Sequence, residues 1–342
     1  MPWPPPVTMG RRSVREADLA ECLALHPPAM GHELIGRNRA VHVWRTLLEH
    51  PSCNFVIIEF KEPTPGCKTA GFGASAFVSR AFVQEEISRP RPGLNARIMA
   101  SIAAGAPVVL TEIELRHANT YDGLHLVILC AAWKRNQLTD AQVQEVKMHL
   151  SSSFLQDHAG YRFAQILFET TDQVDIDHAH STGVYRVVSD FENYHKCNPG
   201  AWNRDRALFT LDRESALSIT GTVATILFHH TEPLLGLRKE DQQLLTAALT
   251  GMTDEELCER LKFQLGTLKK RWAALYQRVA KTRPDLLNEL DDGLNRLTRG
   301  RQKRHHLLGY VREHPEELRP LLPHRSRIGD SPLTSWWGGR RR

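Results

Sequence analysis

Apolar positions along this chain follow a mixed period up to about residue 225 and an almost purely helical one after it. Pro2, Pro4, Pro5 and Pro6 make a leader with no periodicity, read as disordered to about Thr8. Leu19, Cys22 and Leu23 recur at helical spacing and predict a helix over 16–25; another is predicted over 36–49, stopped by Pro51. Strands are predicted over 54–59 and 69–78, joined by KEPTPGCK, which has the Pro and Gly of a hairpin loop. A helix over 94–104, ended by Gly105, precedes strands over 108–115 and 124–130. Thr139 is placed to cap a helix over 139–154 with Val143, Val146, Leu150 and Phe154 on one side. Strands over 163–169, 183–189 and 206–212 follow. The expectation is an α+β domain over 1–228, with five to seven strands in a mixed sheet and flanking helices. The pattern breaks at HHTEPLLG, residues 229–236, and an all-α domain over 234–298 and a basic helical tail over 299–342 are expected after it.

Charge sharpens this division. The net charge is +5, yet from Leu237 onward Lys and Arg outnumber Asp and Glu by 22 to 14, so the excess is confined to the C-terminal part. A basic segment beside a mildly acidic one suits contact with a polyanion there; a solvated basic surface is the alternative. Apolar runs are too short for a membrane span, and the first residues lack the apolar stretch of a signal peptide. The six cysteines (Cys22, Cys53, Cys67, Cys130, Cys197, Cys258) form no C-x-x-C pair, so reduced, mostly structural thiols and a cytoplasmic location are expected.

Candidate chemistry concentrates between residues 237 and 280. A first helix with Leu244, Leu245, Ala248 and Leu249 apolar is stopped by Gly251. Thr253 and Glu256 form a capping box for a second. After a turn at 263–265, a third runs to about Ala280, with Leu268, Trp272, Leu275 and Val279 as its buried stripe. That leaves Gly266, Thr267, Lys269, Lys270 and Arg271 on its outer face, with Thr253 and Gln264 at the adjoining helix starts. Short polar groups suit base edges, and Lys and Arg suit phosphates or guanine. Arg299, Arg301, Lys303, Arg304 and the tail Arg340–Arg342 are further phosphate candidates.

These residues resemble the LuxR (GerE-type) DNA-binding domain. Leu237, the pair Glu240 and Asp241, Gly251 through Asp254, Glu256 through Cys258, Leu261, and Gly266 through Lys269 fall on its pattern without a gap. Leu265, Asp254 and Trp272 depart from it. The resemblance implies a dimeric helix-turn-helix transcription regulator of double-stranded DNA, with Thr253, Gln264, Gly266, Thr267, Lys269, Lys270 and Arg271 at the interface.

The first domain resembles the GNAT acetyltransferase fold in its element order and in Thr182 through Arg186, similar to a late Gly-aromatic-Arg step. That family grips acetyl-CoA with a glycine-rich turn after the central strand. Here Ala132 through Thr139 holds no glycine; only Lys134 and Arg135 are candidates to attract an anion. The expectation is therefore a sensor of a small molecule or protein partner, without catalytic residues and without acetyl-CoA or another acyl-CoA as cofactor. A GNAT-type acyltransferase fused to a DNA-binding module is the alternative. Asp175, Asp177, His178 and His180 have metal-ligand chemistry at close spacing, and a polar surface loop is the plainer reading.

Overall fold

The computed structural model describes residues 8–25, 35–64, 67–134, 137–192, 206–288 and 296–322. The chain divides into two compact units: residues up to Pro233 together with Leu307–Leu321, and Leu234–His306. The leader prolines, Arg135, Cys197 and the tail arginines lie outside the described residues, as do the side chains of Arg299 and Arg301.

In the first unit the chain runs β1 (Met9–Ser13), α1 (Leu19–Ala24), α2 (Arg37–Leu48), β2 (Cys53–Thr64), β3 (Cys67–Val78), α3 (Arg80–Ser88), α4 (Leu94–Ala103) and α5 (Glu112–His117). It continues through β4 (Leu124–Trp133), α6 (Asp140–His158), β5 (Phe163–Thr170), α7 (Gln173–Thr182), β6 (Arg186–Ser189), β7 (Ala207–Asp212), α8 (Arg213–Ser218) and α9 (Val223–Phe228). The strands form one sheet in the order β1-β2-β3-β4-β5-β7-β6. Neighbours are antiparallel except β4 and β5, which are parallel. This is the mixed α+β architecture that the sequence predicts, with seven strands and flanking helices.

Strand pleating sends alternate residues to opposite faces. Phe55, Ile57, Phe72 and Ala74 bury against α1, α2 and α4, where Trp44 meets Phe55 and Phe72 edge-on at 5.9 Å. Val56, Ile58 and Ala70 face the other way and bury with Val146 and Leu150 of α6. Gly71 lets α6 come this close: a Cβ there would lie 2.5 Å from a Val146 methyl group.

The last residues of this unit return to it. Leu307 and Val311 are buried, Arg319 donates to the Ala159 carbonyl at 2.7 Å, and Asn119 donates to the Pro320 carbonyl at 3.0 Å. The spacing of Leu307 and Val311 fits the basic helical tail expected here, but nothing in the sequence announces that it returns to this unit.

Several sequence expectations are corrected. Residues 108–115 are not a strand. Val109 makes one isolated bridge to Val78, and Thr111 and Glu114 form a capping box that starts α5. Residues 183–189 shrink to β6, because Gly183 at φ +65° ends α7 first. Helices α3, α7, α8 and α9 were not expected, nor was β1, a polar edge strand held by Arg12 on Asp18 and Glu59 at 2.6 and 2.8 Å.

The second unit holds α10 (Lys239–Leu249), α11 (Asp254–Leu261), α12 (Leu265–Thr282), α13 (Asp285–Asn288) and the start of α14 (Arg296–Glu313). Leu244, Leu245, Ala248, Leu257, Leu268, Trp272, Leu275 and Val279 are among its buried residues, as their helical spacing predicts.

Gly160 gives a direct test of the returning segment. Its φ is +81°, and a Cβ would stand 2.6 Å from the Pro315 carbonyl carbon. Gly160→Ala should destabilise the chain by roughly 1–3 kcal/mol, from backbone strain plus overlap. A thermal melt should show the drop, whereas Gly105→Ala, with open space around it, should show only the strain.

Candidate functional site

Pairing between β4 and β5 covers Leu124–Ile128 and Phe163–Phe168 and then stops, although each strand continues beside its other neighbour. Leu129 is the bulged residue opposite Ala74 and Ser75, and its carbonyl accepts from the Asn95 side chain. Past the last pair, Glu169 turns to the start of α4. Its carboxylate accepts from the N–H groups of Gly93 and Leu94 at 2.9 and 2.5 Å, and from Arg206, itself buried.

The parting strands border a cavity of about 350 Å³. Its walls are mainly apolar: Val56, Ile128, Leu150, Phe154, Ile166 and Leu227 contribute. Among the polar residues of the lining, Ser75 and His158 form a buried pair. His158 Nε2 lies 3.0 Å from Ser75 Oγ, and His158 Nδ1 lies 2.8 Å from the Phe154 carbonyl. A carbonyl only accepts, so Nδ1 carries the proton, Nε2 accepts, and the Ser75 hydroxyl donates. Burial, with Phe154 and Phe77 rings at 4.3 and 6.0 Å, lowers the His158 pKa to about 4, so the imidazole is neutral. Sequence reasoning missed this pair, whose members stand 83 positions apart.

The anion candidates fare differently. Lys134 lies 3.1 Å from Glu21, and α6 caps itself: Thr139 N–H donates to Gln142 at 2.9 Å, and Gln142 N–H donates to Thr139 at 3.3 Å. The helix start that would face a pyrophosphate therefore has part of its donor set occupied from within.

Asp175, Asp177, His178 and His180 lie on α7, not on a surface loop. Residues two apart on a helix point to different sides, so His178 and His180 do not share a face. Asp175 pairs with Lys147 at 2.8 Å, Asp177 accepts from Gln173 at 2.7 Å, His180 meets the Phe209 ring at 5.5 Å, and His178 lines the cavity. Among the described residues no cluster suited to a metal occurs.

In the second unit, Thr253 accepts from Glu256 N–H at 3.2 Å while Glu256 accepts from Thr253 N–H at 2.7 Å. Lys262, left-handed at φ 56°, ends α11, and Phe263 N–H returns to the Cys258 carbonyl at 2.9 Å. Gln264 precedes the first turn of α12. Gly266, Thr267, Lys269 and Lys270 are exposed there, and Arg271 is half-buried with its guanidinium 5.3 Å from the Phe263 ring centre. The neighbouring α11 carries Asp254, Glu255 and Glu256 in its first turn; Asp254 is held by Arg304 at 2.6 Å.

No family model and no curated protein matches the chain. The LuxR resemblance thus stands on the residues alone. Solved structures overlap the chain in part. They include the C-terminal condensation domain of Ebony in complex with beta-alanyl-dopamine (12% identity, 60% of this chain, 99% of that one, TM-score 0.37). A mosquito arylalkylamine N-acetyltransferase-like protein covers 59% of this chain and 99% of its own (14% identity, TM-score 0.34). FeeM, an N-acyl amino acid synthase from uncultured soil microbes, covers 61% and 94% (13% identity, TM-score 0.32).

The neutral His158 makes stability depend on pH. Unfolded, it takes up a proton below about 6.5; folded, it does so only near 4. Between these values the unfolded chain binds more protons, so stability falls as pH falls, by up to about 1.4 kcal/mol per pH unit from this group. Burial lowers His50, His125 and His230 too, which adds in the same direction. Urea midpoints should drop from about pH 7 to pH 5, and His158→Gln should flatten that drop.

Proposed function

We propose that this chain is a DNA-binding transcription regulator, with α11 and α12 as a helix-turn-helix and α12 as the helix that enters the major groove. The supporting observation is the exposed run at the start of α12, braced by buried Leu268, Trp272 and Leu275. The major groove is about 12 Å wide and admits a helix. Gly266 has nothing near where a Cβ would stand, so backbone can approach base edges there, with Thr267 and Gln264 as hydrogen-bonding groups. Lys269 and Lys270 reach phosphates on either side, and Arg271 is steadied by Phe263. Thr253, its hydroxyl used in the cap, positions α11 and offers its exposed edge to the backbone. The partner is double-stranded DNA, bound by a homodimer in the cytoplasm, and the mixed-sheet unit is the sensor. Among the described residues no helix is long and apolar enough to cross a membrane.

Mobility shifts on promoter fragments test this. Binding should weaken steeply with salt, and Lys269→Ala with Lys270→Ala should weaken it on all sequences and reduce the salt slope by about 2. Unchanged binding in that variant sinks the assignment of α12.

One observation favours the alternative, an acyltransferase joined to a DNA-binding module: a cavity does sit where β4 and β5 part. Against it stand the self-capped α6 and the Lys134–Glu21 pair. Acetyl-CoA should therefore leave the melting temperature unchanged. A ligand at a hundred times its Kd adds about 2.7 kcal/mol, a shift easily seen.

A further inference from the structure

Resting on the sensing half of that reading, we propose that the cavity beside β4 and β5 takes an uncharged, largely apolar small molecule bearing one N–H or O–H group. Coenzyme thioesters and other anions are refused.

Charge around the cavity is the first reason. Among the described residues lining it there is no Lys and no Arg, and there are three carboxylates, Glu169, Asp172 and Asp175. An anion entering would lose water and meet no counter-charge among the described lining residues, a cost of several kcal/mol by the general penalty for unpaired buried charge. A cation finds no free acid either. Glu169 is held by Arg206 and two backbone N–H groups, Asp175 by Lys147, and Asp172 accepts from Val174 N–H at 3.1 Å.

Size and walls are the second reason. About 350 Å³ falls at the lower end of small-molecule sites, roughly 300–1,000 Å³. The exposed part of the lining is mixed: Val223 on α9 is 55% exposed, and Ser151 of α6 and His178 of α7 are exposed beside it.

The third reason is Ser75. Its hydroxyl hydrogen goes to neutral His158, leaving oxygen lone pairs as acceptors inside an apolar chamber. An amide N–H or a hydroxyl on the ligand has a seat there, while a carboxylate or phosphate does not.

The full chain can be titrated with two dyes of nearly the same body, uncharged N-phenylnaphthylamine and the anionic anilinonaphthalene sulfonate. Emission of the uncharged dye should rise and saturate, and the sulfonate should bind at least about tenfold more weakly, a difference of about 1.4 kcal/mol. Ser151→Phe at the exposed rim and Ala224→Phe on the wall should each cut affinity for the uncharged dye at least about tenfold. Ser151→Phe should also keep the wild-type melting temperature, so its loss of binding is not a loss of fold. Equal binding of both dyes, no saturation, or undiminished binding in Ser151→Phe overturns the proposal. Mobility shifts on the same samples separate the two readings: dye failure with DNA binding intact removes the cavity assignment alone, and dye binding without DNA binding removes the regulator alone.

Discussion

The parting of β4 from β5 is the constraint on which the first unit depends. Two parallel strands that stop pairing leave backbone groups and side chains without their usual neighbours, and buried polar groups need partners. The chain supplies some locally. Asn95 serves the carbonyl of bulged Leu129, and Glu169 gathers the start of α4 and Arg206. Breaking the second cluster by removing one charge would leave the other buried and unpaired, a far larger loss than the net worth of the pair. The strands are thus held apart by polar contacts on one side of the sheet. The other side is left to α6, α7 and α9, which border the opening without filling it.

Close packing of α6 sets what that opening contains. Gly71 admits Val146, and further along the same helix His158 reaches Ser75. Satisfying both imidazole nitrogens, one on a carbonyl and one on a hydroxyl, is how a histidine survives among Phe77, Phe154 and Phe163. A neutral imidazole at a pKa near 4 is a poor base at neutral pH.

Much of the architecture was legible because local signals were strong. Thr139 caps α6 as its spacing from Gln142 dictates, and the stripe Leu268, Trp272, Leu275 and Val279 is buried as a period of 3.6 requires. What stayed hidden was either short or distant. The TEIE of Thr111–Glu114 is a capping box inside a run of β-compatible residues, so apolar content outweighed the cap. Helix α7 was missed because the polar DIDHAH reads as a surface loop, yet Asp172 caps it and Gly183 closes it. Ser75 with His158, and Gly160 against Pro315, are tertiary contacts across long separations that no window along the chain contains.

The capping residues also bear on chemistry. A helix N-terminus offers unsatisfied N–H groups and positive partial charge, which is why phosphates gather there. At α6, Thr139 and Gln142 spend two of those donors on each other, and Asp140 adds a negative charge to the first turn. At α12 the opposite holds: no side chain caps the start, the first turn has no acid, and exposed Lys269 and Lys270 follow at once. Two helix starts in one chain therefore differ in the property that anion binding needs, and the difference is written in four or five residues at each. On the proposed reading, it is the start of α12 that would meet a phosphate backbone.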